Sequence, residues 1–292
     1  MKTPLLTVLA TLLSFGVPAK SVDVVLLGGQ SNMQGIGQIS ALPPADRAPI
    51  PGAYFFIGNT FEALVPGKTK TSTRSGELGP EIGFARTMTQ AGHPVYLIKY
   101  HASGMPLHYG WNRNKWEGGP PAPGRVNFYP GTDANDPATG KLYRAMRQHF
   151  QRGLAALEAQ GHTPVVRGFL WMQGEQDAKH ETSATTYAAS LKQLRDRLAS
   201  DLKTDSLPLV FGQVLPHPEP MARFTHRTEI RAQMAAADHR SGAPESIPLT
   251  RMVSTDTFSL KKDTVHYDGP GQIQLGKAMA EALLSLQTPP AK

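Results

Sequence analysis

The stretch VDVVLLGGQSNM, residues 22–33, determines how the rest of the chain is interpreted. Residues 22–27 form an apolar run typical of a strand buried inside a sheet. Gly28 and Gly29 then allow a sharp backbone turn and a close approach of a ligand. Ser31 follows at once, so we predict a serine at the end of a buried strand. The plainer interpretation is that Ser31 caps the N-terminus of a helix.

Strand-like segments alternate with helical patterns along the rest of the chain. The predicted strands are 22–29, 53–57, 95–100, 165–172, 207–215 and 250–254. The predicted helices are 81–91, a segment from 143 that ends at Gly161, a segment that begins at 187, then 225–239 and 271–286. This alternation predicts an α/β fold with a mostly parallel sheet covered by helices on both faces. Functional groups in such sheets gather at the carboxyl ends of the strands.

Composition limits the class of protein. The 292 residues, 40% of them hydrophobic and 18% charged, fit one α/β domain, and 28 glycines and 25 prolines indicate long loops. Without cysteine there is no disulfide, thiolate nucleophile or cysteine-bound metal. The net charge of +7 comes without a dense basic run, which disfavours nucleic acid as a partner. A mildly basic surface suits an acidic polymer such as a uronate-bearing glycan, or an ordinary basic exported protein.

The N-terminus has the pattern of a secretory signal peptide. Lys2 precedes an apolar run over residues 5–15, and small residues lead to a cleavage site after Ala19. The run is too short to span a bilayer comfortably, and a buried first helix is the alternative. We therefore predict a signal peptide over 1–19 and one exported domain over 20–292, periplasmic or secreted, with no membrane attachment after cleavage.

Three separated peptides contain the residue types of a nucleophilic hydrolase. Besides Ser31, they are QGEQD at 173–177 and DTVH at 263–266. Asp263 precedes His266 by three residues, so one tight loop can hold a base and the carboxylate that orients it. A surface histidine is the alternative, because the chain has 10. A metal enzyme is less well supported, since no His-x-x-x-His pair has ligand spacing.

The segment 105–140 is rich in glycine and proline and has no clear periodicity. A loop of this length inside a compact domain is usually functional or disordered. It contains Trp111 and Trp116, whose flat faces suit sugar rings. The equally weighted alternative is that these aromatic residues close a small core beneath the loop.

Four ordered blocks resemble those of the SGNH-type, GDSL-like hydrolases. They are GQSNM at 29–33, GPEIGFA at 79–85, WMQGEQDA at 171–178 and DTVH at 263–266, followed by GQ at 271–272 and LG at 275–276. More narrowly, they are similar to the sialate O-acetylesterase-like group that includes carbohydrate esterase family six. The resemblance implies a three-layer α/β/α sandwich of the flavodoxin-like kind. It also implies hydrolysis of acetyl esters on sugars without a metal or cofactor.

The resemblance assigns roles by position. Ser31 would be the nucleophile, His266 the base and Asp263 the orienting acid, with Glu175 as a rival or second support for that acid. The oxyanion hole would comprise the Ser31 amide, Gly104 and the side chain of Gln173. This chain has Ala-Ser-Gly at 102–104 where relatives tend to have Gly-Gly before a serine or threonine, and a change in the shape of this loop would affect acceptor specificity more than the reaction.

Further residues are predicted to contact substrate, namely Gln30, Asn32, Trp111 and Trp116. The leading hypothesis is an exported serine esterase that removes O-acetyl groups from an oligo- or polysaccharide through an acetyl-enzyme. The glycan would be acetylxylan or another hemicellulose, with an O-acetylated sialic acid as the alternative. A general GDSL lipase/esterase and a non-catalytic glycan-binding protein are the other hypotheses.

Overall fold

The computed structural model describes residues 20–219 and 221–287, so the predicted signal peptide lies outside the described residues. A seven-stranded sheet forms its centre. The strands are β1 (Lys20–Gly29), β2 (Ala53–Ile57), β3 (Thr60–Ala63), β4 (Val95–His101), β5 (His162–Met172), β6 (Leu209–Gly212) and β7 (Thr250–Val253).

The sheet has the spatial order β7-β6-β5-β1-β4-β2-β3. All neighbouring strands are parallel except β2 and β3, which form an antiparallel edge. β1 lies in the middle, and its Val24, Val25, Leu26 and Leu27 are completely buried. Strands that follow β1 pair on both of its sides, so the carboxyl end of β1 lies where the strand order reverses, the usual place for a ligand.

Helices cover both faces of the sheet. They are α1 (Ser31–Gln34), α2 (Glu81–Gln90), α3 (Lys141–Ala159), α4 (Glu181–Thr185), α5 (Tyr187–Leu202), α6 (Arg227–Ala237) and α7 (Gly269–Gln287). α2 and α7 pack on each other and on strands of one face, while α3 packs on β4 and β5 and contacts α5. The predicted α/β sandwich with a mostly parallel sheet is therefore confirmed.

The close packing of α2 on α7 explains two glycines in the sequence blocks. A Cβ on Gly83 would lie 2.2 Å from the Ile273 carbonyl oxygen, and one on Gly276 would lie 2.0 Å from that of Pro80. Any side chain at either position would push the helices apart. The absence of side chains at these two glycines thus allows α7 to pack closely on α2. α7 begins shortly after His266.

The differences from the sequence prediction lie at the edge and in the loops. β3 was not predicted, because Thr60–Ala63 is an exposed edge strand without an apolar run. β6 is shorter than the predicted 207–215. Within 105–140 the backbone is irregular except for a small antiparallel pairing of Trp111–Asn112 with Lys115–Trp116. Within the described ranges, no helix is long and apolar enough to cross a membrane.

Candidate active site

Ser31 lies just beyond the carboxyl end of the central strand. Gly29 has a φ of 150°, and a Cβ there would lie 2.1 Å from the Met172 carbonyl oxygen, so only glycine fits. The N–H of Gln30 donates to that same oxygen at 2.9 Å. This contact fixes the turn, and Ser31 becomes the first residue of α1.

A relay of hydrogen bonds joins Ser31 to the loop before α7. The Oγ of Ser31 lies 2.9 Å from Nε2 of His266, and Nδ1 of His266 lies 2.7 Å from Oδ2 of Asp263. A carboxylate can only accept, so Nδ1 carries the proton and Nε2 is free to accept the Ser31 hydroxyl proton. The arrangement can therefore deprotonate Ser31 and stabilise the imidazolium that results.

The carboxylate of Asp263 also shapes the turn that presents His266. Its Oδ1 accepts from the backbone N–H groups of Val265 and His266 at 3.0 and 2.9 Å. Thr264 has a φ of 58°, a left-handed conformation that a β-branched residue rarely adopts. Burial alone raises the pKa of Asp263, but the hydrogen bonds from His266 and Val265 outweigh it, and the pKa falls below its usual value.

Asn32, predicted to bind substrate, instead clamps the loop that contains His266. It is 1% exposed, and its amide nitrogen donates to the Val265 carbonyl at 3.0 Å. Its side-chain oxygen accepts from the backbone N–H of Tyr267 at 3.2 Å. The residue after Ser31 therefore holds both neighbours of His266.

Glu175 supports this clamp rather than His266 itself. Its Oε1 accepts from the Asn32 amide at 2.7 Å, and its Oε2 is buried without a protein partner among the described residues. Burial raises the pKa of Glu175, against the opposing effect of its hydrogen bonds. Of the two acids that the sequence left open, the structure places Asp263 against the imidazole and Glu175 behind Asn32.

Gln173 does not occupy the position predicted for an oxyanion donor. Its side chain is completely buried, and its two amide hydrogens point to Asp177 Oδ2 at 2.6 Å and to the Met105 carbonyl at 3.2 Å. Its amide oxygen accepts from the Tyr187 hydroxyl at 3.1 Å. This prediction is corrected, because no donor remains on Gln173 for a substrate.

Gly104 lies in the same cleft as Ser31 and is exposed. Its φ of 70° is a conformation that glycine adopts without cost. The preceding Ser103 donates from its hydroxyl to the side-chain oxygen of Gln34 at 2.6 Å, which links the loop to α1. The N–H groups of Ser31 and Gly104 remain the predicted backbone donors for a developing oxyanion.

The cleft around Ser31 has a volume of about 290 Å³. Its wall comprises Gln30, Ser31, Ser103, Gly104, Glu175, Gln176, Lys179, Arg223, Phe224, Val265 and His266. Three buried polar atoms of this wall have no protein partner among the described residues, namely Gln30 Oε1, Glu175 Oε2 and Gln176 Nε2. Buried polar groups are normally hydrogen-bonded, so these three atoms lack a usual partner within the protein.

The two tryptophans of the long loop pack outside this wall. Trp111 is 4% exposed, and its Nε1 donates to the Ser183 hydroxyl at 3.0 Å. Trp116 is half-buried and stacks on His180 with ring centroids 3.6 Å apart. The prediction that Trp111 binds substrate is therefore corrected. Both tryptophans fit the alternative interpretation, a small core beneath the loop.

Two buried acids near the site were missed as functional residues. Asp177 accepts from the backbone N–H groups of Leu107 and His108, at 2.8 and 3.0 Å, as well as from Gln173. Glu81 accepts from Lys99 at 2.7 Å, and Lys99 also donates to the Gln34 carbonyl at 3.0 Å. Glu81 belongs to the GPEIGFA block and Asp177 to the QGEQD peptide. Membership in these blocks is the sequence signal that could have identified both acids.

The fold and the hydrogen-bonded relay of Ser31, His266 and Asp263 place the chain among the SGNH-type α/β esterases. The family model described as carbohydrate esterase, sialic acid-specific acetylesterase matches residues 21–285. The chain belongs to that family. A probable carbohydrate esterase of Arabidopsis thaliana is 27% identical over 122 residues, which is 41% of this chain and 41% of that protein.

Similar solved structures give the same fold. One Arabidopsis thaliana structure has a TM-score of 0.66 at 18% identity, covering 91% of this chain and 98% of the other. NanS has a TM-score of 0.59 at 13% identity, with coverages of 93% and 99%. A carbohydrate acetylesterase from Xanthomonas citri has a TM-score of 0.58 at 16% identity, with coverages of 90% and 56%.

Proposed function

We propose that this protein is a serine esterase that removes O-acetyl groups from carbohydrates through an acetyl-enzyme intermediate. The observation that best supports this proposal is the continuous hydrogen-bonded relay from Ser31 Oγ through His266 to Asp263, with separations of 2.9 and 2.7 Å. Membership of the carbohydrate esterase family supports the same chemistry. An acetylated oligo- or polysaccharide is then the substrate class.

The mechanism follows from the proton positions in the relay. Nε2 of His266 takes the hydroxyl proton as Ser31 attacks the acetyl carbonyl, and the imidazolium is stabilised by Asp263. The N–H groups of Ser31 and Gly104 stabilise the oxyanion, and each such donor contributes about 10²–10³ to the rate. His266 then protonates the departing sugar oxygen, and water releases acetate from Ser31.

The lining of the cleft favours a small acyl group on a polar alcohol over a lipid. Its apolar side chains are few, Phe224 and Val265 among them, whereas Gln30, Ser103 and Gln176 are polar. A volume of about 290 Å³ is at the lower limit of small-molecule sites. A general GDSL lipase is thereby disfavoured, and acetylxylan and O-acetylated sialic acid both remain within the substrate class.

The test is hydrolysis of p-nitrophenyl acetate by the wild type and by Ser31→Ala. We expect the variant to lose nearly all turnover and to stop reacting with a serine-directed phosphonate. Turnover at the wild-type rate in Ser31→Ala would refute the assignment. A wild type that binds acetylated glycan but reacts with neither reagent would instead favour a non-catalytic glycan-binding protein.

Two further measurements refine the substrate. A rate that falls from acetyl to octanoyl esters supports an acetylesterase, and the reverse order supports a lipase. Acetate release from a panel of acetylated glycans identifies the natural class. Residues 1–19 are proposed to direct export, which puts such glycans within reach of the enzyme.

A further inference from the structure

Two cationic side chains stand in the wall of the cleft without a carboxylate partner. They are Lys179 and Arg223, and both line the same space as Ser31 and His266. Across residues 20–219 and 221–287, neither has a carboxylate oxygen within 4.0 Å. Lys179 is half-buried and Arg223 is exposed, and both stand in the wall of one small cleft.

Both cations lie against one aromatic ring. Nζ of Lys179 lies 5.7 Å from the centroid of Phe224, and Cζ of Arg223 lies 4.9 Å from it. Lys179 also donates to the side-chain oxygen of Gln176 at 2.6 Å. Each cation gains from the face of the ring, while the two charges repel each other. Burial lowers the pKa of Lys179 and Arg223 lowers it further, while the charge of Glu175 opposes this.

Glu175, the one carboxylate in the wall of the cleft as the described residues form it, cannot neutralise both Lys179 and Arg223. Glu175 is 2% exposed, and one of its oxygens is occupied by Asn32. Even with Glu175 ionised, two cations against one carboxylate leave the cleft positive. An anionic group of the ligand would relieve the repulsion and pair with both cations.

We propose that Lys179 and Arg223 bind a carboxylate on the sugar whose acetyl ester Ser31 cleaves. The inference rests on the proposed esterase function and narrows its substrate class to O-acetylated sugar acids. Hexuronic acids and nonulosonic acids share this chemistry. The guanidinium of Arg223 offers a planar fork to the two oxygens, and Lys179 adds a point charge.

The experiment compares each acid with its own neutral methyl ester. The substrates are an O-acetylated methyl glucuronoside, an O-acetylated N-acetylneuraminic acid, and the carboxyl methyl ester of each. Hydrogen bonds to charged groups predict that the wild type prefers the acid in kcat/KM by about 10- to 100-fold. The glucuronoside and neuraminic acid arms distinguish the two sources of the carboxylate.

Lys179→Met and Arg223→Gln should each reduce this acid-to-ester ratio toward one. Lys277→Met, which removes the same charge from the exposed outer face of α7, should leave the ratio unchanged. Both substrates are measured on one preparation, so the ratio does not depend on how much of a variant folds.

Equal rates on acid and ester by a wild type that hydrolyses p-nitrophenyl acetate would overturn this inference alone. A ratio retained in both Lys179→Met and Arg223→Gln would also overturn it. A wild type inactive on p-nitrophenyl acetate and on all four sugar substrates would overturn the proposed function itself.

Discussion

The side-chain nitrogen of Asn32, the residue after Ser31, lies 2.7 Å from Oε1 of Glu175. Asn32 in turn holds the backbone on both sides of His266. The position of the proposed base is thus determined by the neighbour of the proposed nucleophile. Glu175 orients the amide that makes this possible, which is a different task from that of Asp263.

This division of roles predicts that Asp263→Asn and Glu175→Gln differ greatly in turnover. In Asp263→Asn, the oxygen stays on the two backbone N–H groups and the new NH₂ faces Nδ1 of His266. The ring must then keep its proton on Nε2, facing Ser31. We expect kcat on p-nitrophenyl acetate to fall by about 10³–10⁴.

In Glu175→Gln, the new amide oxygen can still accept from Asn32, and the NH₂ replaces an oxygen that has no protein partner among the described residues. We expect kcat to stay within about tenfold of the wild type, because the clamp keeps its acceptor. An equal loss in the two variants would show that Glu175 orients His266.

Asp177 is predicted to hold the loop that presents Gly104. Its carboxylate accepts from the backbone N–H groups of Leu107 and His108, three and four residues after Gly104. In Asp177→Asn, an NH₂ must face at least one of the three donors, at a cost of about 1–3 kcal/mol. We expect kcat to fall by about tenfold or more with a smaller change in KM.

The matched control is Asp136→Asn in the same long loop. Asp136 also accepts from two backbone N–H groups, those of Thr132 and Ala138, but it lies outside the cleft wall. It should lower the free energy of unfolding in urea without changing kcat. If Asp177→Asn also changed stability alone, the loop would not depend on Asp177 for its catalytic geometry.

The sequence located the parts of the site that depend on strand order. Ser31 and Glu175 follow two adjacent strands, and the carboxyl ends of parallel strands meet at one edge, so their convergence was predictable. His266 was predictable because Asp263 lies within one turn of it. β3 was not, because an exposed edge strand lacks the apolar run that identified the others.

Side-chain orientation was harder to predict than position. Gln173 stands in the expected block, yet its amide donates to Asp177 and to the Met105 carbonyl rather than into the cleft. Met105 belongs to a loop distant in sequence, so this orientation could not be predicted from the block. Trp111 is buried because Ser183 offers its Nε1 an acceptor. Lys179 and Arg223 both lie against the ring of Phe224, and no sequence periodicity connects the three.

The buried ion pair of Lys99 with Glu81 is predicted to stabilise the C-terminal end of α1. Their side chains are 1% and 0% exposed, and Lys99 also donates to the carbonyl of Gln34, the last residue of α1. Burial lowers the pKa of Lys99 although Glu81 opposes this. In Lys99→Met, Glu81 is left buried without its cation, which costs about 3–5 kcal/mol.

A double-mutant cycle in urea tests this coupling. Lys99→Met with Glu81→Gln should be more stable than Lys99→Met alone, because the uncompensated charge is gone. Lys277→Met breaks an exposed pair with Glu281 at 3.9 Å and should change the free energy of unfolding by about 0–1 kcal/mol. Strictly additive effects of the two buried substitutions would contradict the coupling.

His108 predicts a loss of stability in acid. Its Nδ1 accepts from the backbone N–H of Gly110 at 2.9 Å, so the ring must be neutral in this geometry. Burial, His180 and Arg125 lower the pKa of His108 from 6.5 to about 4. Between these values the unfolded chain binds the proton and the folded chain does not. This contribution to stability is therefore complete above pH 6.5 and is lost as the pH falls toward 4, by at most about 3 kcal/mol.

Asp177 acts in the opposite direction. Burial raises the pKa of Asp177 from 3.8 to about 6, so the folded chain binds the extra proton between these values, and stability falls as the pH rises through them.

Urea unfolding of His108→Asn at pH 4 to 7 separates the two groups, because Asp177 is common to the variant and the wild type. The difference in unfolding free energy between them should shrink as the pH falls. Parallel stability curves for His108→Asn and the wild type would show that His108 binds its proton equally in both states.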